Sequence, residues 1–386
     1  MTTTFTSMVP GWIEAFKAGI GSSDQPRVAS SLATEQDLEA LRTHQQVKER
    51  VQDGMQHLSS FNYIRGVKHQ DMDAVSLLAR GLFINTDTLE VVIRGYDKTP
   101  LINEPGLERA SFPEVLKNTS APYTTSVMEN GFLGLVSYDR KTDEIIFATK
   151  SVINPSFHDW ADRHIRKNMT LARYENLKTL LRDCRLTLAF EVVEPVLDPH
   201  IIESSRSKLV LLDGIRNSLV FEKITRSQLE ALGDIFDFEC RAAGPSFSSK
   251  KALVEFVIGA MKNGYKHHSL DGLIEIEGLM IEDANGNMVK LKLPFYQLWK
   301  ACRASMEALS SKKPKPRGRI PQEHLSDQSV TAFLEWYKVQ DPAPARRNII
   351  KGRNAFLAAN PEMSSPSFEG FAMTPEAEAE ALSVAG

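Results

Sequence analysis

The sequence is poor in cysteine. Its three cysteines, Cys184, Cys240 and Cys302, are scattered, odd in number and without metal-ligand spacing. That excludes a disulfide framework and points to a reducing compartment, the cytosol or nucleus. Long apolar runs are missing as well. No segment reaches the roughly 18 consecutive apolar residues of a membrane helix. The Thr-rich start, Met1 to Val9, has neither the basic region nor the apolar run of a secretion signal. Positive charge is not in excess either, since the net charge is -3. Any nucleic-acid contact must therefore come from a local basic face. Within these residues there is no Gly-x-x-x-x-Gly-Lys-Ser/Thr phosphate loop, and hence no P-loop kinase signature. Beyond Arg353 there is no Lys or Arg at all, while Glu362, Glu369, Glu376, Glu378 and Glu380 follow. Residues 361–386 are expected to form a disordered acidic tail.

What is present suits a folded chain of more than one domain. The length is 386 residues, 42% of them hydrophobic and 25% charged, as in ordinary globular proteins. Apolar spacing predicts a helix from Thr34 to about Leu58. Two β-rich runs, Leu77–Ile84 and Val91–Tyr96, flank the polar turn 85–88. A second hairpin is predicted from Phe132–Tyr138 and Glu144–Ala148. Residues 156–184 read as helix, with Ser156 or Asp159 as N-cap. Strands are predicted at Leu186–Val193 and Leu209–Ile215, and helices at Arg226–Phe238 and Ser249–Asn263. A third hairpin, Leu273–Glu282 with Met288–Leu293, turns at Asn285-Gly286. Helices follow at Tyr296–Leu309, Asp327–Val339 and Ala345–Ala358. Between the first two of these, Lys312, Lys313, Lys315, Arg317 and Arg319 fall within eight residues among Pro314, Pro316 and Gly318. Such a run is a solvated linker or an RNA-facing patch. The predicted class is α+β with antiparallel sheets, followed by a small all-helical domain. The expected domains are 1–305, 306–360 and the tail.

Four short segments stand at predicted strand ends: Met128-Glu129-Asn130-Gly131, Phe190-Glu191, Glu275-Ile276-Glu277-Gly278 and Lys290-Leu291-Lys292. Each alone is weak, because a Lys-x-Lys on a strand is usually two exposed cations and an Asn-Gly usually a turn. In this order they resemble motifs I, III, IV and V of the covalent nucleotidyltransferases. Further blocks narrow the resemblance: Leu78-Ala79-Arg80-Gly81-Leu82-Phe83, Ile93-Arg94-Gly95-Tyr96-Asp97-Lys98, Phe147-Ala148-Thr149-Lys150-Ser151, the run from Val193 to Ile202, and Lys292-Leu293-Pro294-Phe295-Tyr296. Together they are similar to the phage-type RNA ligases and the fungal tRNA-splicing ligases over about residues 60–300. Asn130 fits that branch, because DNA ligases and capping enzymes usually carry Asp there.

The resemblance implies an adenylyltransferase domain, ATP, Mg²⁺ (or Mn²⁺), and RNA as substrate, in particular tRNA halves with 2′-phosphate, 3′-OH and 5′-phosphate ends. A monomer with no membrane contact is expected. By the same resemblance Lys290 and Lys292 would meet the α-phosphate. Arg80 and Lys98 would meet the triphosphate, and Lys150 the nucleotide or an RNA phosphate. Glu191 would accept from the ribose, and Glu277 would hold the metal through water. Asn130 and Gly131 would border the nucleotide, with Gly131 giving a tight backbone turn. Arg317, Arg319 and His324 are candidates for RNA contact by position and charge. The departure is Met128, which occupies the nucleophile position where the family has Lys. A thioether has no proton to lose and cannot form the lysyl-AMP bond. Either a lysine was replaced by engineering, trapping ATP and metal, or this is a natural pseudo-ligase that binds nucleotide or RNA without catalysis. The other motifs being intact favours the first.

Overall fold

The computed structural model describes residues 31–386 apart from 65, 68–70, 105, 168, 197, 270–271, 311–327, 341–347, 365 and 367. The basic run 312–319 and His324 lie outside the described residues.

Helix α1 (Glu35–Thr43) begins at a capping box between Thr34 and Asp37. It stops far short of the predicted end, and the chain turns into the hairpin β1 (Val47–Gln52) and β2 (Met55–Tyr63). The signal for this turn is Asp53-Gly54, where Gly54 takes φ 77°. That left-handed position suits glycine and closes a hairpin. A short helix α2 (Ala74–Leu78) takes the first two residues of a predicted strand and leads to β3 (Leu82–Asn85) and β4 (Val91–Arg94). The polar turn is as expected, with Asn85 Oδ1 accepting the amides of Asp87 and Thr88. Helix α3 (Phe112–Lys117) and strands β5 (Thr124–Met128), β6 (Phe132–Asp139) and β7 (Glu144–Thr149) follow. The predicted helix 156–184 is two helices, α4 (Pro155–Arg166), capped by Asn154, and α5 (Leu171–Cys184), capped by Thr170.

Next come β8 (Leu186–Val193), β9 (Lys208–Arg216), α6 (Arg226–Phe236), β10 (Glu239–Cys240) and α7 (Lys250–Asn263). The third predicted hairpin divides in two. β11 (Lys266–Ser269) pairs with β12 (Gly272–Glu275), and β13 (Gly278–Glu282) pairs with β14 (Met288–Lys292). The chain ends in α8 (Pro294–Ser310), α9 (Gln328–Lys338), α10 (Ile349–Ala359) and α11 (Pro375–Ala385). Helix α11 overturns the expected disorder of the acidic end. Thr374 caps it, Ala381 is fully buried and Glu380 meets Lys117 at 3.3 Å. The glutamates occupy its outer side, while small residues let it lie close on α3 and α7.

The chain forms two compact units that do not follow linear order. Unit one comprises residues 1–98, 132–192 and 208–240. It holds the sheets β1-β2-β3-β4 and β10-β9-β8-β6-β7. Its larger core packs Leu177, Leu181 and Phe236 of the helices against Phe147, Leu188 and Phe190. Unit two comprises residues 99–131, 193–207 and 241–386. Its sheet β14-β13-β5 shares one core with the C-terminal helices, where Trp299, Phe333 and Phe356 stack edge to face.

Candidate functional site

Within unit two, the strand register decides which side chains share a face. Met128 pairs with Gly278, and Gly278 with Lys292. Two residues along, Ser126 pairs with Met280, and Met280 with Lys290. Directly opposed residues point the same way, and alternate residues share a face. Met128, Lys290 and Lys292 therefore rise from one face. Val127, Leu279 and Leu291 point from the other into buried packing. A Cβ on Gly278 would strike the carbonyl of Leu291, with Lys292 Cα at 3.1 Å. Glycine lets the strands close, and it leaves no side chain in the row between Met128 and Lys292.

Glu277 sits at the break between β12 and β13, 8% exposed. One carboxylate oxygen pairs with Lys292 Nζ, and the other accepts from the side-chain amide of Asn130. A buried ion pair is weakly stabilising unless its remaining valences are met, and here Asn130 meets one. Asn130 is itself held, because its Oδ1 accepts the amides of Ile201 at 2.7 Å and Ile202 at 2.9 Å. The Lys292 ammonium also lies 4.6 Å from the ring centre of Tyr296, a cation–π contact. Gly131 lies in the bend after β5 without the positive φ of Gly81 or Gly286. The chain bends there, and the bend does not use a left-handed backbone. Close by in sequence, Glu129 acts on His267, whose imidazole burial pushes below its ordinary value against the pull of that carboxylate.

The β13–β14 turn is fixed by Asp283. Its Oδ1 accepts the amides of Asn285 at 2.9 Å and Asn287 at 2.8 Å, and its Oδ2 accepts the amide of Ser120 at 3.0 Å. Burial pushes this carboxyl up, but these bonds outweigh burial and hold it below its ordinary value.

The other expected site residues belong to unit one. Gly81 has φ 69°, and its Cα would be 3.2 Å from a Cβ placed on Gly95. The two Arg-Gly blocks thus meet backbone to backbone through their glycines. Arg80 donates to the Tyr96 carbonyl at 3.3 Å. Arg94 is fully buried and donates to the carbonyls of Ser218 at 3.1 Å and Gly95 at 3.0 Å, and to Asp97. It is a brace of the fold. Lys98 follows β4 and is half-buried, its amide donating to Leu77 O at 3.3 Å. Lys150 lies one residue past β7, 5.1 Å from the Tyr63 ring centre. Glu191 stands on β8 opposite Leu133 and is half-buried, while its neighbour Phe190 enters the core.

Sequence reasoning gave no role to Tyr296, to the Ile201 and Ile202 amides, or to Arg353. The first could have been inferred from Lys292-x-x-x-Tyr296, since one turn into a helix returns the ring under the ammonium. The amides carry no side-chain signature.

Among the described residues, no three or more His, Cys, Asp or Glu side chains gather to enclose a metal. One carboxylate, Glu277, beside the neutral Asn130 fits a hard divalent ion that keeps most of its waters.

A family model described as RNA ligase matches residues 78–296. No curated protein matches the chain. Among solved structures, the chain is similar to a protein from Aquifex aeolicus assigned as an ATP-dependent DNA ligase, with 15% identity, 86% of this chain and 80% of that one covered, and TM-score 0.49. An archaeal ATP-dependent RNA ligase shows 12% identity, coverage of 86% and 80%, and TM-score 0.47. The Naegleria gruberi RNA ligase, solved with AMP and Mn as a lysine-to-methionine mutant, shows 15% identity, coverage of 52% and 56%, and TM-score 0.39.

Proposed function

Because this chain belongs to the RNA ligase family, we propose that it is an ATP-dependent RNA ligase module whose nucleophile position holds Met128. The supporting observation is the row Met128–Gly278–Lys292, which places a side chain of lysine length beside the cation meant for the α-phosphate. In the lysine form, the amine attacks the α-phosphorus, an N–P bond forms, the bond to pyrophosphate breaks, and the proton passes to solvent. Lys290 and Lys292 offset charge on the phosphate under attack. Glu277 would hold a divalent ion, and such an ion would supply charge neutralisation at the phosphates. For unit one we keep the roles the resemblance implies: Arg80 and Lys98 for triphosphate oxygens, Glu191 for the ribose, and Lys150 for a phosphate. We place the substrate among RNAs broken in tRNA splicing or repair, joined by a monomer.

Incubation with labelled ATP and Mg²⁺ followed by a denaturing gel tests this reading. The chain as given should carry no AMP, and Met128→Lys should carry it. A band from the Met128 chain, or none from Met128→Lys, overturns the assignment. Met128 itself favours a second reading, a natural pseudo-ligase that binds nucleotide without catalysis. The genomic codon at position 128 separates the two.

A further inference from the structure

The carboxylate that faces Lys292 is held by a hydrogen-bond series that begins far away in the sequence, on the C-terminal helix α10. Arg353 is buried, 6% exposed. Its Nη1 donates to the Ile201 carbonyl at 2.8 Å, and its Nη2 to Glu203 Oε1 at 2.9 Å. Asn354 adds a second donor to the same Glu203 oxygen at 2.9 Å. The guanidinium lies 5.3 Å from the Phe295 ring centre and 5.7 Å from that of Trp299. These rings leave it little room for another arrangement. In the segment it grips, the amides of Ile201 and Ile202 both donate to Asn130 Oδ1. Two donors on one oxygen fix which end of the Asn130 amide faces Glu277. The nitrogen end must then be the donor to that carboxylate.

Burying a guanidinium is costly, and burial indeed pushes Arg353 below its ordinary value. A fold that needed only packing at this place would do as well with an apolar side chain. We infer that Arg353 is a positioning residue of the ligase site, holding the 201–203 segment so that Asn130 orients Glu277 for Lys292 and for the metal's water. It contacts the Ile201 carbonyl, Glu203 and the rings of Phe295 and Trp299, and so acts through the Asn130 series. Through it, α10 and the nucleotidyltransferase motifs become one hydrogen-bonded assembly within unit two. This inference rests on the ligase reading of Glu277, and its test separates the two.

Chains of all 386 residues carry Met128→Lys, alone or with Arg353→Met, Arg353→Lys or Phe356→Leu. The last removes core volume from the same helix without touching the series. The Asn130 side-chain amide signals in a nitrogen-15 NMR spectrum, assigned by their loss in Asn130→Ala, report the orientation directly. They should move in Arg353→Met, move less in Arg353→Lys, and stay in Phe356→Leu. The Mg²⁺ concentration for half-maximal self-adenylylation should rise about tenfold in Arg353→Met and change less than twofold in Phe356→Leu. Unmoved Asn130 signals in a folded Arg353→Met overturn the inference, whatever the activity. Moved signals with unchanged Mg²⁺ dependence overturn the positioning role. If the Met128→Lys parent takes no AMP, the ligase reading fails, while the Asn130 signals still decide whether Arg353 sets that side chain.

Discussion

Met128 and Lys292 stand two strands apart in one row of a sheet, on the same face, with the bare backbone of Gly278 between them. Neighbouring antiparallel strands put paired Cα atoms about 4.5–5.5 Å apart, so their backbones are about 10 Å from each other. Two long side chains can span that gap toward a common phosphate.

The row depends on glycine at its centre. Gly278→Ala should force β13 and β14 apart, since the new methyl meets the Leu291 carbonyl. Overpacking of this kind costs about 1–3 kcal/mol. Urea unfolding should show a lower midpoint with unchanged slope, and calorimetry should show weakened ATP binding in Mg²⁺. An unaltered midpoint would mean that the strands have slack the register does not suggest.

Asn130→Asp should keep the two acceptor bonds to Ile201 and Ile202 but place a second carboxylate against Glu277. Like charges in one site raise the apparent pKa of the pair. With folded-state pKa raised, the deficit against the parent should be full at pH 8 and shrink as pH falls through the raised value. Melting temperatures of both proteins at pH 5 and pH 8 check this. A deficit that grows on acidification is the contrary result.

Much of the site was legible in the sequence because it lies on short strands whose ends carry the motif residues. Asn285-Gly286 predicted the turn that sets Lys290 and Lys292, and the strand Leu186–Val193 has the bounds found in the structure. The failures have physical causes. Val47 and Val51 fit a helical spacing as well as a strand, and only the Asp53-Gly54 turn decides between them. The acidic end reads as disordered from its glutamates, and its order comes from Ala377, Ala381 and Ala385, which form one helical face. Arg353 carries no signal in the sequence beyond being its last cation. Nothing local indicates that Ile201, distant in sequence, supplies its acceptor.

Asp283 offers a test of the turn that carries the two lysines. Its depressed carboxyl contributes stability present above its unfolded value, near 3.9, and lost as pH falls through the folded value. Asp283→Asn should cost about 1–3 kcal/mol at pH 7, because buried amides lose a charged acceptor. The difference from the parent should narrow below about pH 4. Equal stability at pH 7 would remove Asp283 from the explanation of the hairpin.

The last ligation step needs no amine at 128. A 3′-OH attacks the phosphorus of an adenylylated 5′ end, the new P–O bond forms, and AMP leaves with the bond electrons. Met128 should therefore permit sealing of pre-adenylylated RNA without ATP. Glu277→Ala and Lys292→Ala should each slow it by about 10²-fold or more, the usual loss for an electrostatic group at the reacting phosphate. Gel assays of strand joining measure both. Sealing at the parent rate by either variant would take Glu277 or Lys292 out of the reaction.

Strand β5 pairs along one edge with β13, which in turn borders β14, and along the other meets residues 242–244 through a bridge between Ser126 and Ala243. During synthesis β5 leaves the ribosome well before its partners on either edge, residues 242–244 and 278–282, have been made. Pairing over such a separation is slow to form. An arrested chain ending before residue 278 would leave the β13 edge of β5 unpaired, open to adhesion with other strands.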